Sequence, residues 1–265
     1  MDLKAYVERI GFAGELRPSA ECLRELHLAH ATHVPFENID VLQQRPVRLD
    51  IESLWKKLVE DRRGGYCFEQ NTLFAAVLES IGFSVTRLAA RVRLGAVGIT
   101  SRGHMLLAVQ ADGQQYLVDV GFGGDALLYP IPWLLGETAG QFGWKYRIIA
   151  ESPGYLLQTV RAEDWFDLYS FTMEEQYPVD YEVANYHTST HPNSFFRNQL
   201  MVHLPGRDRR VTLVNRRLIE QRPEGSSEVL LPDDEAILET LAGRFGLHFP
   251  PGTRFPYKEE SVQAA

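Results

Sequence analysis

The apolar period of this 265-residue chain changes at Gly82. Before it, hydrophobic side chains recur every three to four positions; after it they alternate, so a helical part must precede a sheet. Asp2 caps a first helix with Leu3, Tyr6, Val7 and Ile10 on one face. Pro18-Ser19 opens a second, with Leu23, Leu26 and His30 aligned, ending before Pro35. Asp50 caps a third, striped by Ile51, Leu54, Trp55, Leu58 and Val59. The fourth carries Leu73, Phe74, Val77, Leu78 and Ile81, and Gly82 sits at its C-cap.

Beyond Gly82, residues 85–92, 104–111 and 115–122 read as strands, the last two joined by Asp112-Gly113, a strong hairpin signal. Strands at 146–150 and 155–160 flank the turn Ser152-Pro153-Gly154, and another covers 165–171. Such a run of short strands predicts a small barrel or strongly curled sheet. From Pro178 the pattern is mixed: a short helix at 179–186, a loop at His191-Pro192-Asn193, and a hairpin of 198–204 with 210–215. Asp233 caps a last helix with Ile237, Leu238, Leu241 and Phe245, closed by Gly246, and a loose tail follows Pro250. No internal repeat occurs.

The formal charge of −8 argues against non-specific nucleic-acid binding, which needs a basic face. Two cysteines, Cys22 and Cys67, make neither a disulfide framework nor a zinc pattern, which points to a reducing, cytoplasmic setting. No apolar run approaches the ~20 residues of a membrane span, and the N-terminus reads as a helix, not a signal peptide.

Cys67 lies at the first turn of the fourth helix, after Gly64 and Gly65, which let the backbone turn tightly. A helix N-terminus favours a thiolate, and a thiolate is a nucleophile. The competing reading is a buried structural thiol. A nucleophile needs a base, and the Asp112-Gly113 hairpin supplies one. If its turn sets Ala111 opposite Gln114, His104 faces Gly121 and Asp119 faces Leu106. His104 and Asp119 are then diagonal neighbours on one face, Cα atoms roughly 7–8 Å apart, within reach of an imidazole–carboxylate hydrogen bond. Asp119 stands between Val118 and Val120, where an unpaired carboxylate would be costly. Thiol, base and orienting acid form the layout of nucleophilic catalysis. His27, His30 and His33 share a helix but have no matching ligand cluster, so no metal is expected. Gly121-Phe122-Gly123-Gly124 is a turn that admits close approach by a phosphate or a thin substrate arm, and is not a Walker A loop.

Four motifs, in this order and spacing, resemble the arylamine N-acetyltransferase family. They are His33-Val34-Pro35-Phe36-Glu37-Asn38, Arg63-Gly64-Gly65-Tyr66-Cys67-Phe68-Glu69, His104-Met105-Leu106-Leu107 and Val118-Asp119-Val120-Gly121-Phe122-Gly123. The resemblance implies an α+β fold with a cysteine-protease/transglutaminase-like catalytic core. It implies a helical subdomain (1–84) carrying Cys67, a β-barrel (85–190) carrying His104 and Asp119, and an α/β lid (191–265). It further implies a catalytic triad of Cys67, His104 and Asp119, with acetyl-coenzyme A near Gly121, Gly123, Thr100 and Ser101. Phe36, Val92, Gly103 and Phe122 would line the acceptor pocket, and Arg63 and Glu37 would form a buried ion pair under the cysteine loop. Gln70 stands where the family more often has His or Leu, a position not expected to touch the chemistry. The lid keeps only Ser194-Phe195 and Arg207 of the family pattern. The implied activity is ping-pong acetylation of arylamines and arylhydrazines, and O-acetylation of N-hydroxyarylamines, by a monomer or homodimer. Alternatives are an amide synthase fed by another acyl donor, a Cys-His-Asp amidase, peptidase or transglutaminase-like enzyme, and a binding module that keeps only the fold.

Overall fold

The computed structural model describes residues 1–258. The helices begin and end where short polar side chains and glycines allow. In α1 (Leu3–Ile10) the Asp2 carboxylate accepts from the Lys4 and Ala5 N–H groups. Ser19 does the same for α2 (Ala20–His33) through Cys22 N. Two short elements absent from the apolar period follow, β1 (Phe36–Glu37) and α3 (Ile39–Leu42). The third expected helix starts at Asp50 but divides into α4 (Ile51–Trp55) and a wider π-turn, Lys56–Glu60. α5 (Cys67–Ile81) ends at Gly82 in the left-handed region, φ 106°. These apolar faces bury Tyr6, Ile10, Leu23, Leu26, Leu58, Phe68, Phe74 and Val77 in one core.

Eight antiparallel strands form the nearly closed, barrel-like sheet. They are β2 (Ser84–Val92), β3 (His104–Ala111), β4 (Gln114–Val118), β5 (Ile131–Pro132), β6 (Ala139–Gln141), β7 (Trp144–Glu151), β8 (Gly154–Arg161) and β9 (Asp164–Phe171). Their spatial order is β5-β4-β3-β2-β9-β8-β7-β6. Ala111 pairs with Gln114 and Leu107 with Val118, the register the Asp-Gly turn predicts. The turn takes its left-handed residues at Asp112 (φ 48°) and Gly113 (φ 76°). β3 is buried on both faces, which is why it reads as a continuous apolar run. Met105, Leu107 and Val109 pack toward α5, whereas Leu106 and Ala108 pack into the barrel with Leu88, Leu117 and Leu157.

β4 stops at Val118, short of the expected end at residue 122. Past that point side chains take over the backbone: His27 Nε2 accepts from Asp119 N (3.3 Å) and Asn71 Oδ1 from Val120 N (3.1 Å).

In the last part α6 (Pro178–Thr190) is longer than the expected 179–186, and α7 (Phe195–Asn198) follows. Then come β10 (Met201–Pro205), β11 (Arg210–Val214), β12 (Arg217–Arg222), β13 (Gly225–Leu230) and α8 (Asp234–Phe245). The second sheet runs β1-β10-β11-β12-β13, so Phe36 faces His203 and Glu37 faces Val202 across the whole barrel sequence. Ile39 and Leu42 share a core with Leu200, Val202, Leu213 and the α8 residues Ile237, Leu241 and Phe245. Segment 36–42 therefore belongs spatially with the final third of the chain, while Tyr181 of α6 packs into the helical core. The tail after Pro250 is docked, not loose: Phe255 is buried and Lys258 N donates to Asn198 O at 2.8 Å. Its remainder, residues 259–265, lies outside the described residues. Among the described residues no helix is long and apolar enough to cross a membrane.

Candidate active site

Cys67 is the first residue of α5, 4% exposed, and its Sγ donates to the Gly103 carbonyl at 3.9 Å. Its own N–H and that of Phe68 belong to the first helical turn, where no intrahelical acceptor exists. His104, the first residue of β3, follows Gly103 and is likewise buried. Its Nε2 meets Asp119 Oδ2 at 2.7 Å, although the backbone ladder ends one residue before Asp119.

Asp119 is fully buried and its carboxylate is saturated. Oδ1 accepts from Asn71 Nδ2 (3.0 Å) and Gly121 N (3.0 Å), and Oδ2 accepts from Tyr169 Oη (3.0 Å) as well as His104. Asn71 also donates to Met105 O at 2.7 Å. Cys67 and Asn71 stand one helical turn apart, so a single face of α5 presents the thiol and clamps the acid. The i, i+4 spacing was the signal in the sequence that could have singled out Asn71. Tyr169 and His27 arrive from β9 and α2 and had no such signal.

Burial by itself drives an imidazole toward neutrality: His27 is pushed down to about 4 and His30 to about 3. At His104 burial acts in the same direction, but the Asp119 charge and hydrogen bond, together with the Cys67 sulfur, outweigh it and raise the group to about 10. For Asp119 burial pushes upward, yet His104, Asn71 and Gly121 hold it below the usual carboxylate range. The phenol of Tyr169 is pushed well above its ordinary value by burial, then by the Asp119 charge.

The cysteine loop is braced from below by ion pairs. Arg63 donates to Glu37 Oε1 (3.0 and 2.6 Å) and to Asp40 (3.3 Å), and Lys57 spans Asp40 and Glu69 at 2.7 Å each. Glu69 then accepts from Tyr66 N at 3.0 Å, capping the helix that starts with Cys67. Gln70 is buried behind the loop, donating to Gly65 O (2.8 Å) and taking a bond from His30 Nε2 (3.2 Å). The two glycines serve close packing, not a left-handed turn. A Cβ at Gly64 would overlap the Pro35 carbonyl, and one at Gly65 would lie 2.7 Å from Glu69 Oε2.

The other expected site residues fall around this centre. Phe122 stacks edge-on to His104 (centroids 5.0 Å) and Tyr169 (4.9 Å). Phe36 bridges to Gly65 and contacts His203 and Phe196. A Cβ at Gly121 would sit 2.8 Å from Cys67 Cα, and one at Gly123 (φ 91°) 3.1 Å from His203. Both glycines are thus held close to the chain, Gly121 against Cys67 and Gly123 against His203 and Phe36. Val92 ends β2 and accepts from the Thr100 hydroxyl at 2.8 Å, while Arg91 donates to Thr100 O. Ser101 is exposed, and its carbonyl accepts from Gly103 N at 2.9 Å. Among the described residues no cluster of three or more His, Cys, Asp or Glu could hold a metal ion; His27, His30 and His33 each bond elsewhere.

A thiol at a helix start beside an imidazole–carboxylate pair, on helices packed against a curled sheet, is the architecture of cysteine-dependent acyl-transfer enzymes. The pattern of the N-acetyltransferase family matches residues 19–253. The chain is 37% identical over 253 residues to an arylamine N-acetyltransferase of Mycolicibacterium smegmatis, covering 93% of this chain and 92% of that one. To the arylamine N-acetyltransferase / N-hydroxyarylamine O-acetyltransferase of Salmonella typhimurium it is 38% identical over 250 residues, covering 92% and 88%. Its fold is similar, with a TM-score of 0.89 at 38% identity over 92% of each chain, to that of Mycobacterium marinum arylamine N-acetyltransferase solved in complex with CoA. The chain belongs to the arylamine N-acetyltransferase family.

Proposed function

We propose that this protein transfers the acetyl group of acetyl-coenzyme A to arylamines and arylhydrazines, and to the hydroxyl of N-hydroxyarylamines, through an acetyl-Cys67 intermediate. The observation that carries this reading is the 2.7 Å bond between His104 Nε2 and the buried Asp119 carboxylate, which leaves the ring's other nitrogen for the thiol.

Cys67 gives its proton to His104, and the sulfur attacks the thioester carbonyl. The oxyanion accepts from the free backbone N–H groups at the start of α5. Collapse breaks the carbon–sulfur bond to coenzyme A, whose sulfur takes the proton back from His104. An arylamine, neutral at pH 7, then attacks acetyl-Cys67. His104 accepts the amine proton as the carbon–nitrogen bond forms, and the sulfur leaves. Asp119 stays ionised throughout, holding the imidazole's orientation and stabilising its charged form. Coenzyme A runs past Gly121, Gly123, Thr100 and Ser101, and the acceptor ring lies among Phe36, Val92, Gly103 and Phe122. The CoA complex of the Mycobacterium marinum relative supports coenzyme A as the donor's carrier. Both cysteines are free thiols, which favours a reducing, cytoplasmic setting.

Intact-mass spectrometry after brief mixing with acetyl-coenzyme A and no acceptor tests the scheme. One added acetyl group, mapped to Cys67 and discharged by an arylamine, is expected. Turnover without any adduct, or an unimpaired Cys67→Ser variant, would refute it.

A further inference from the structure

His203 plays no part in the scheme above, yet it sits beside it. Gly121 rests against the Cys67 backbone, and two residues on, Gly123 rests against both His203 Cδ2 and Phe36 Cγ. Two residues of chain span at most about 7 Å, enough to accommodate the roughly 6 Å from the nitrogen of an aniline to its para substituent. Phe36 and His203 are direct ladder partners with ring centroids 5.4 Å apart. A row therefore runs from the Cys67 backbone past Gly121 and Gly123 to Phe36 and the imidazole.

The ring is oriented. Its Nδ1 bonds Thr212 Oγ1 at 3.0 Å, from the residue facing it on β11, and Nε2 has no partner among the described residues. Nε2 is not one of the enclosed polar atoms left without a partner, so it opens to a space that a ligand group can reach. A substrate group can therefore hydrogen-bond Nε2 there. Burial pushes His203 down to about 4 against the opposing pull of Asp125, so the ring is uncharged at neutral pH and has no charge with which to draw a carboxylate.

We infer that His203 determines acceptor specificity: its Nε2 hydrogen-bonds an uncharged oxygen or nitrogen substituent at the end of the acceptor ring remote from the reacting amine. This rests on the acetyl-transfer reading. The thiol end of the row receives the amine, the Phe36 face receives the ring, and the imidazole reads what the ring carries.

The test compares discharge of preformed acetyl-Cys67 by 4-methoxyaniline and by 4-ethylaniline, of similar shape but with and without the acceptor oxygen. Intrinsic nucleophilicity cancels when each variant's ratio is divided by that of the wild type. His203→Leu is expected to lower the preference for the methoxy compound by about three- to tenfold, the value of one neutral hydrogen bond. His203→Gln, which keeps a polar group there, is expected to restore part of it, and the rate of acetylation by acetyl-coenzyme A should be unchanged. Should His203→Leu fail to fold, Thr212→Val, which frees the ring, is expected to lower the ratio at least about twofold. A ratio unchanged in the variants that fold would overturn the inference. So would a loss confined to acetylation by acetyl-coenzyme A, which would assign His203 to the donor. Wild-type protein that forms no acetyl-Cys67 would instead sink the parent reading, a result distinguishable from either.

Discussion

Asp119→Asn keeps the shape of the side chain and removes one buried charge. Without that charge His104 resembles His27 and His203, buried imidazoles held at about 4. Two unit charges about 4 Å apart at an effective dielectric near 20 attract by about 4 kcal/mol, a factor of about a thousand in the proton equilibrium of His104. The hydrogen-bond pattern changes too. Asp119 Oδ1 already serves Asn71 and Gly121, so the amide oxygen stays with those donors and the new NH2 turns toward His104 and Tyr169. Nε2 must then accept, which moves the ring proton to the nitrogen facing Cys67 and removes the base. The kcat/KM for an arylamine at saturating acetyl-coenzyme A should fall about 1,000- to 10,000-fold. Alkylation of Cys67 by iodoacetamide at pH 7 should slow in parallel. A variant within tenfold of wild type in kcat/KM, with an unaltered alkylation rate, would show that Asp119 does not govern the imidazole.

Arg63→Ala leaves the fully buried Glu37 without its charge partner and should cost about 3–5 kcal/mol in urea unfolding; a loss under 1 kcal/mol would mean the loop is held by other contacts. Gly64→Ala forces a methyl into the Pro35 carbonyl and should destabilise the protein clearly, whereas Gly140→Ala, which meets open space, should be close to neutral. Equal melting temperatures for the two would contradict the packing argument. The folded-state value of His104, about 10, lies above the ordinary 6.5, so its pairing stabilises the fold fully below about pH 6.5. That contribution is lost as pH rises through about 10. Asp119, held low, contributes above about pH 3.8 and loses its effect on acidification. The stability gap between wild type and Asp119→Asn should therefore be widest between these limits and narrow toward pH 10; a gap that widens with alkali would reverse the assignment.

Sequence alone determined the features whose physics is local. Asp2, Ser19, Asp50 and Asp233 mark helix starts because a capping oxygen acts within three residues, and Gly82 and Gly246 mark ends because they take a left-handed backbone. The Asp112-Gly113 turn fixed the register as far as Leu107 and Val118, and from there His27, Asn71 and Tyr169 hold Asp119 against His104. Only the tertiary structure decided the rest. Phe36 joins β10 from 167 positions away, a pairing no local period encodes. Tyr169, His27 and His203 reach the site from separate elements, through hydrogen bonds and ring contacts with no echo in neighbouring residues. Gly64 and Gly121 look in sequence like turn glycines, but each is required because another segment's backbone occupies the space of its Cβ. Contacts between distant segments leave no periodic trace, because what they select is the fit of one residue to another, not a repeat along the chain.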